Sequence, residues 1–246
     1  MQREFFFVAN WKMQLTYMQS IACAKAYTQV CSKNTVIVCP SYESLSIVKQ
    51  ELKETTIALG AQDISAYASG AYTGQVSAQS LKEVGCSYCI IGHSERRQYN
   101  QETNALIVQK LEQLLRVSII PIICVGETAA QKQAGTTLND IYAQLDPLLP
   151  LLSKSISTKI LIAYEPVWAI GTGEQPTKEE VAAVLDALDQ YIKKNISQAS
   201  VFLLYGGSVI AETAPVYADI QTLDGFLVGG ASIDFQKCKN IVSLEK

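Results

Sequence analysis

Eight short apolar runs rich in β-branched residues recur along the chain, at residues 5–10, 35–40, 57–62, 88–92, 119–125, 159–164, 201–206 and 226–229. Between them apolar positions fall at three- and four-residue steps, as in residues 102–116 and 178–194, where Val181, Val184, Leu185, Leu188 and Ile192 share one face. These periods predict strands alternating with amphipathic helices. A run that is apolar at nearly every position belongs to a strand covered on both sides, hence to a parallel sheet. Eight units in 246 residues average about 31 residues each, the size of one strand–helix–strand repeat. The pattern therefore predicts an α/β protein, a single-domain (β/α)8 barrel over residues 1–246. The rival, an open doubly wound sheet, usually carries G-x-G-x-x-G after its first strand. Here that strand ends in Asn10-Trp11-Lys12, and the one G-x-G, Gly171-Thr172-Gly173, has Pro176 where the third glycine belongs. Residues 63–76 lack periodicity and are rich in small side chains, so Gly70-Ala71-Tyr72-Thr73-Gly74 is expected to form a protruding loop.

Composition supports one large core, with 48% hydrophobic residues. The net charge is −3, with 20 basic and 23 acidic residues spread along the chain. No broad basic face results, so no nucleic-acid partner is expected and an anionic ligand must be held locally. No apolar run approaches the ~18 residues of a membrane span, and the first ten residues are too short and acidic for a secretory signal. The expected location is cytoplasmic. Seven irregularly spaced cysteines fit reduced thiols there. Cys86-x-x-Cys89 has redox spacing but enters a strand, and Asn195-Ile196-Ser197 is a glycosylation sequon in form only.

In barrels the chemistry sits at the carboxyl ends of strands. Five such ends are polar: Asn10-Trp11-Lys12, Gly92-His93-Ser94-Glu95, Tyr164-Glu165-Pro166, Tyr205-Gly206-Gly207-Ser208 and Gly229-Gly230-Ala231-Ser232. His93 is the sole histidine, which removes multi-histidine zinc sites, and no metal is expected. A Ser-His-Asp hydrolase is also unsuited, because the only base would adjoin its own nucleophile, Ser94. A lone histidine is more often structural. Its place at a strand end, before Ser94-Glu95-Arg96-Arg97, favours catalysis. Glu165 follows the apolar run Ile160-Leu161-Ile162-Ala163-Tyr164, where burial is expected to raise its basicity. The residues after it, Pro166-Val167-Trp168-Ala169-Ile170-Gly171-Thr172-Gly173, read as a lid with a proline–tryptophan hinge and a glycine-rich one. Lys12 beside Asn10 suits an anion or a developing oxyanion. The glycine pairs on strands 7 and 8 expose amides where many barrels bind phosphate.

Taken together, Ala9-Asn10-Trp11-Lys12, Ile91-Gly92-His93-Ser94-Glu95-Arg96-Arg97, Cys124-Val125-Gly126-Glu127, the segment from Ala163 to Gly173, Tyr205-Gly206-Gly207-Ser208 and Leu227-Val228-Gly229-Gly230-Ala231 resemble the triosephosphate isomerase family, over essentially the whole chain. The resemblance implies a TIM barrel that interconverts dihydroxyacetone phosphate and D-glyceraldehyde 3-phosphate through an enediolate, in glycolysis and gluconeogenesis, without a cofactor. It implies Glu165 as the base and neutral His93 as the donor to the enediolate, its pKa lowered by a helix N-terminus. Lys12 and Asn10 add electrostatic stabilisation, Glu95 orients Lys12, and Ser94 lies near the base when the lid is open. Phosphate is expected on the amides of Gly173, Ser208 and Gly230, with Gly229 alongside. Tyr205 and Glu127 correspond to residues that hold the closed and open lid. A homodimer is implied, in which the loop after strand 3, with Gln62-Asp63 and Thr73, reaches the partner's Asn10 and the partner's Glu95. The chain departs from the family at Glu174-Gln175-Pro176, beyond the lid, and at Gln75, where a glutamate is usual. Another sugar-phosphate barrel enzyme and a non-catalytic phosphate-binding barrel also fit the glycine pairs, but neither explains why Lys12, His93 and Glu165 occur together.

Overall fold

A computed structural model describes residues 4–154, 159–196 and 199–244. Its eight strands are β1 (Phe6–Asn10), β2 (Thr35–Cys39), β3 (Ala58–Ala61), β4 (Tyr88–Ile91), β5 (Ile120–Val125), β6 (Lys159–Tyr164), β7 (Ser200–Tyr205) and β8 (Gly225–Val228). Each pairs in parallel with its successor, and β1 pairs with β8, so the sheet closes into a barrel. The runs read from the sequence match these strands to within a residue or so at each end, because β-branched side chains suit a pleated surface buried on both faces.

Both faces are indeed buried. Phe6, Val8, Ile37, Cys39, Ile90, Ile122, Cys124, Leu161 and Leu204 form one apolar cluster. Alternate residues of the same strands, among them Phe7, Ala9, Val36, Val38, Ile91 and Ile123, join a larger cluster with the helices. Alternation along each strand thus separates the barrel interior from the layer beneath the helices. The interior is tightly filled: a Cβ on Gly60 would lie 2.5 Å from the Cys39 sulfur.

The helices are α1 (Tyr17–Tyr27), α2 (Leu45–Glu51), α3 (Ala78–Val84), α4 (Ser94–Tyr99), α5 (Asn104–Arg116), α6 (Ala129–Gln133), α7 (Thr137–Leu145), α8 (Leu149–Leu152), α9 (Lys178–Asn195), α10 (Ala214–Ala218) and α11 (Phe235–Val242). Polar caps fix where several begin. Thr16, Thr128 and Thr177 each accept from the amide three residues on, and a glutamine or glutamate there reaches back to the cap amide. Beyond β8, Gly230–Ile233 form a 3-10 turn ahead of α11. Residues 67–75 are exposed between β3 and α3, the protruding loop expected there. Among the described residues no helix is long and apolar enough to cross a membrane. The sequon ends at residue 197, outside the described residues.

Candidate active site

Closure of the barrel brings the five polar strand ends to one mouth. Asn10, Lys12, His93, Ser94, Glu95, Glu165, Ser208, Gly229 and Gly230 line a single cavity of about 500 Å3 with apolar Val167, Ile170, Val209 and Leu227. These nine polar or glycine positions lie at or follow the carboxyl ends of five strands, β1, β4, β6, β7 and β8, so the cavity exists only in the closed sheet.

Lys12 sits in the left-handed region at φ 51°, a backbone state that costs a non-glycine residue on the order of 1 kcal/mol or more. Surrounding side chains hold it there. Its amide donates to Asn10 Oδ1 at 3.1 Å, and its carbonyl accepts from Gln62 Nε2 at 2.8 Å. The aliphatic part of Lys12 crosses Gly229, where a Cβ would stand 3.1 Å from Lys12 Cε. The ammonium then meets Glu95 Oε1 at 2.5 Å. Glu95 thus pairs with the Lys12 ammonium, and Gly229 leaves room for the aliphatic part.

His93 is the N-cap of α4, and its Nδ1 accepts the Glu95 amide at 3.2 Å. That bond leaves Nδ1 without hydrogen, so the neutral ring carries its proton on Nε2, which faces the cavity. Nε2 lies 2.9 Å from Glu165 Oε1. Burial lowers the imidazole pKa, but the adjoining Glu165 carboxylate raises it more, and the net direction is upward. The lowered pKa expected from the helix N-terminus is corrected on this point. The amide on Nδ1 still opposes a second proton, which would have to displace it.

Glu165 is 2% exposed. Oε2 accepts the Ser94 amide at 2.9 Å, whereas Oε1 has His93 Nε2 beside it, 2.9 Å away without a well-formed hydrogen bond. The expectation that burial raises its basicity is half right. Burial does push the carboxyl up, but His93, the Ser94 amide and Lys12 together hold it below the ordinary 4.5. Glycines make room for this residue. A Cβ on Gly126 would fall 1.7 Å from the Glu165 carbonyl oxygen, and one on Gly206 would be 3.1 Å from Glu165 Cγ.

The lid begins in a 3-10 turn, Val167–Ala169, whose first amide donates to the Glu127 carbonyl at 3.1 Å. Trp168 Nε1 donates to Glu127 Oε1 at 2.8 Å, and the Tyr164 hydroxyl to the same oxygen at 3.1 Å. Pro166 and Ala169 are buried, while residues 171–175 are exposed. Thr172 is tied back to the Trp168 carbonyl at 3.0 Å. Gly173 does not line the cavity in this lid position, so it is the one expected phosphate ligand not brought to the others. Just beyond the lid the Tyr217 hydroxyl donates to the Pro176 carbonyl at 2.7 Å. The buried Tyr205 hydroxyl has no hydrogen bond; it fits over Gly207, where a Cβ would be 2.2 Å from it. Thr73 lies on the exposed loop after β3, and Gln75 accepts a hydrogen bond from Ser65 of its own chain.

Sequence reasoning missed Tyr217, Gln62 as a brace for Lys12, and Lys132, whose ammonium lies 3.3 Å from the centre of the Trp168 ring. No local signal marks them, because each acts on a partner 36 to 50 positions away along the chain, the interval that separates Lys132 from Trp168 and Gln62 from Lys12. Among the described residues no group of three or more His, Cys, Asp or Glu could hold a metal ion.

Residues 5–245 match the family model described as triosephosphate isomerase. A triosephosphate isomerase of Psychrobacter arcticus is 39% identical over 96% of each chain. One from Cupriavidus necator is 39% identical over 94% of this chain and 95% of its own, and one from Thermus thermophilus is 37% identical over 95% and 96%. With that likeness over nearly its whole length, and with the site's residues converging on one barrel mouth, the chain belongs to the triosephosphate isomerase family.

Proposed function

We propose that Glu165 is the base with which this chain, an isomerase, interconverts dihydroxyacetone phosphate and D-glyceraldehyde 3-phosphate. The observation that carries the reading is the bare Glu165 Oε1, buried in the cavity beside His93 Nε2–H and the Lys12 ammonium. Glu165 takes a proton from the carbon next to the ketone. The C–H electron pair becomes a C=C bond, and the carbonyl pair moves onto oxygen as an enediolate. His93 donates to the enediolate oxygens from Nε2, and Lys12 and Asn10 stabilise their charge. The proton on the first carbon's hydroxyl passes by way of His93 Nε2 to the former ketone oxygen, the first carbon becomes a carbonyl as the C=C pair shifts, and Glu165 returns its proton to the neighbouring carbon. The oxidation level shifts within the substrate, so the electron balance needs no outside acceptor.

The amides of Ser208 and Gly230, beside Gly229, hold the phosphate, and lid closure brings Gly173 to it while shutting out water. Ser94 fixes the resting carboxylate through its amide. The enzyme acts as a cytoplasmic homodimer in glycolysis and gluconeogenesis. Dimer formation is supported by Met13 at 94% exposure and Met18 at 69%, and by the exposed, stacked Tyr67 and Tyr72 on the loop that carries Thr73. Seven free cysteines suit a reducing compartment. A coupled assay on dihydroxyacetone phosphate tests the activity, and sedimentation of the parent and of Thr73→Arg tests the dimer. No turnover would remove the enzymatic reading, and a monomeric parent would remove the dimer.

A further inference from the structure

Lys132, on α6, stands outside the cavity that holds the reacting groups, yet it touches the lid. Its Nζ lies 3.3 Å from the centre of the Trp168 ring, within the range of a cation–π contact. The same Nζ donates to Glu180 Oε1 at 3.0 Å. Glu180 is not free to follow, because its Oε2 accepts the Thr177 amide at 2.8 Å as part of the cap of α9. The ammonium is thus fixed by a carboxylate that is itself fixed by a helix start. The geometry has a second aspect. Trp168 is in the first turn of the lid and Thr177 follows its last residues, so the chain Trp168–Lys132–Glu180 spans the lid's two feet. Trp168 also donates to Glu127, and these groups border a cavity of about 270 Å3 on the outer side of the lid, which leaves the indole room to turn.

We propose that Lys132, aligned by Glu180, is a positioning residue that holds Trp168 in the open arrangement of the lid and gives way when the lid closes. The inference rests on the lid role assigned under the proposed function. The clamp coexists with an exposed lid tip and with Gly173 away from the cavity, so it stabilises the open side of the equilibrium. A contact made in one state alone shifts the equilibrium towards that state. Its removal has a distinctive sign. The lid shuts more readily, an unreactive triose phosphate analogue binds more tightly, and product leaves more slowly.

The test uses the full-length protein labelled with 5-fluorotryptophan, in which Trp168 reports on the lid and buried Trp11 serves as the reference. In Lys132→Met the dissociation constant of glycerol 3-phosphate is expected to fall about two- to fivefold, the size of one exposed cation–π contact. KM and kcat fall together, and the Trp168 fluorine signal of the free enzyme moves towards its position in the liganded parent. Lys132→Arg restores the parent values, and Glu180→Gln lies between. Weaker or unchanged analogue binding in Lys132→Met overturns the proposal, because loss of mere packing would loosen the closed lid as well. An unmoved fluorine signal in the free variant also overturns it, whether or not the protein turns over dihydroxyacetone phosphate. A failure of the activity alone, in the parent, speaks against the proposed function instead.

Discussion

Glu165 and Glu102 are buried alike, each side chain 2% exposed, yet their partners differ in kind. Glu102 Oε1 receives Arg96 Nε at 2.5 Å and the Lys110 ammonium, and both cations also bind Asp63, at 2.9 and 2.6 Å. Two carboxylates and two permanent cations thus hold one another between α4, α5 and the loop after β3. Glu165 has an amide on one oxygen and, near the other, the His93 ring nitrogen, with no lysine or arginine bonded to either. The first arrangement fixes geometry, since every member is needed to neutralise the rest. The second leaves a buried oxygen able to accept a proton. Burial of a carboxylate therefore does not by itself mark a base, and neither does one unbonded oxygen, since Glu102 Oε2 has no hydrogen bond either; what distinguishes the two is whether full positive charges pair directly with the carboxylate and whether it lines the cavity.

Substitutions should separate the two glutamates. Glu165→Gln is expected to reduce kcat by about 10²–10⁴-fold with modest change in KM, the range of a lost general base, while the thermal midpoint holds or rises. Near-parental turnover in a coupled assay would remove the assignment. Lys12→Ala should lower kcat by roughly 10²-fold and raise KM, as expected for a group that meets both bound anion and developing oxyanion. Unchanged constants would place Lys12 outside the site. Lys110→Met should do the converse of Glu165→Gln. It leaves Asp63 and Glu102 with Arg96 as their one shared cation and costs about 3–5 kcal/mol in urea unfolding, with kcat per folded molecule near the parent's. A stable variant would mean that the network is not what holds α5 to the loop.

The smallest effect is a shift on the histidine. Glu165 raises the His93 pKa, so in Glu165→Gln the imidazole midpoint should move down from its parental value, not up. Because His93 is the chain's sole histidine, its nitrogen signals in a pH titration are unambiguous. An unmoved midpoint would separate His93 from Glu165 and undo the contrast with Glu102.

Much of this was legible in the sequence. Strand positions followed from unbroken apolar runs, and Asn10, Lys12, His93 and Glu165 stood out because a polar residue ending such a run must emerge at the barrel mouth. The sign of the carboxyl shift was not legible. The apolar run before Glu165 declares its burial, but the opposing groups, His93 and the Ser94 amide, are some 70 positions earlier and meet it only once β4 and β6 share a barrel. The position of Gly173 was hidden for another reason, since no local pattern states where a hinged segment rests. Lys132 reads as an ordinary surface lysine on a short helix until Trp168 is seen beneath it.

The glycine at position 126 has a consequence for how the base can move. With so little space between its Cα and the Glu165 carbonyl, the two main chains are pressed together, and the Glu165 amide is also bonded to the Val125 carbonyl at 2.8 Å. The backbone at the base is thus a fixed post. Whatever travel the carboxylate makes towards carbon has to come from rotation about its own side-chain bonds, so lid displacement can reach the reacting oxygen as torque but not as translation.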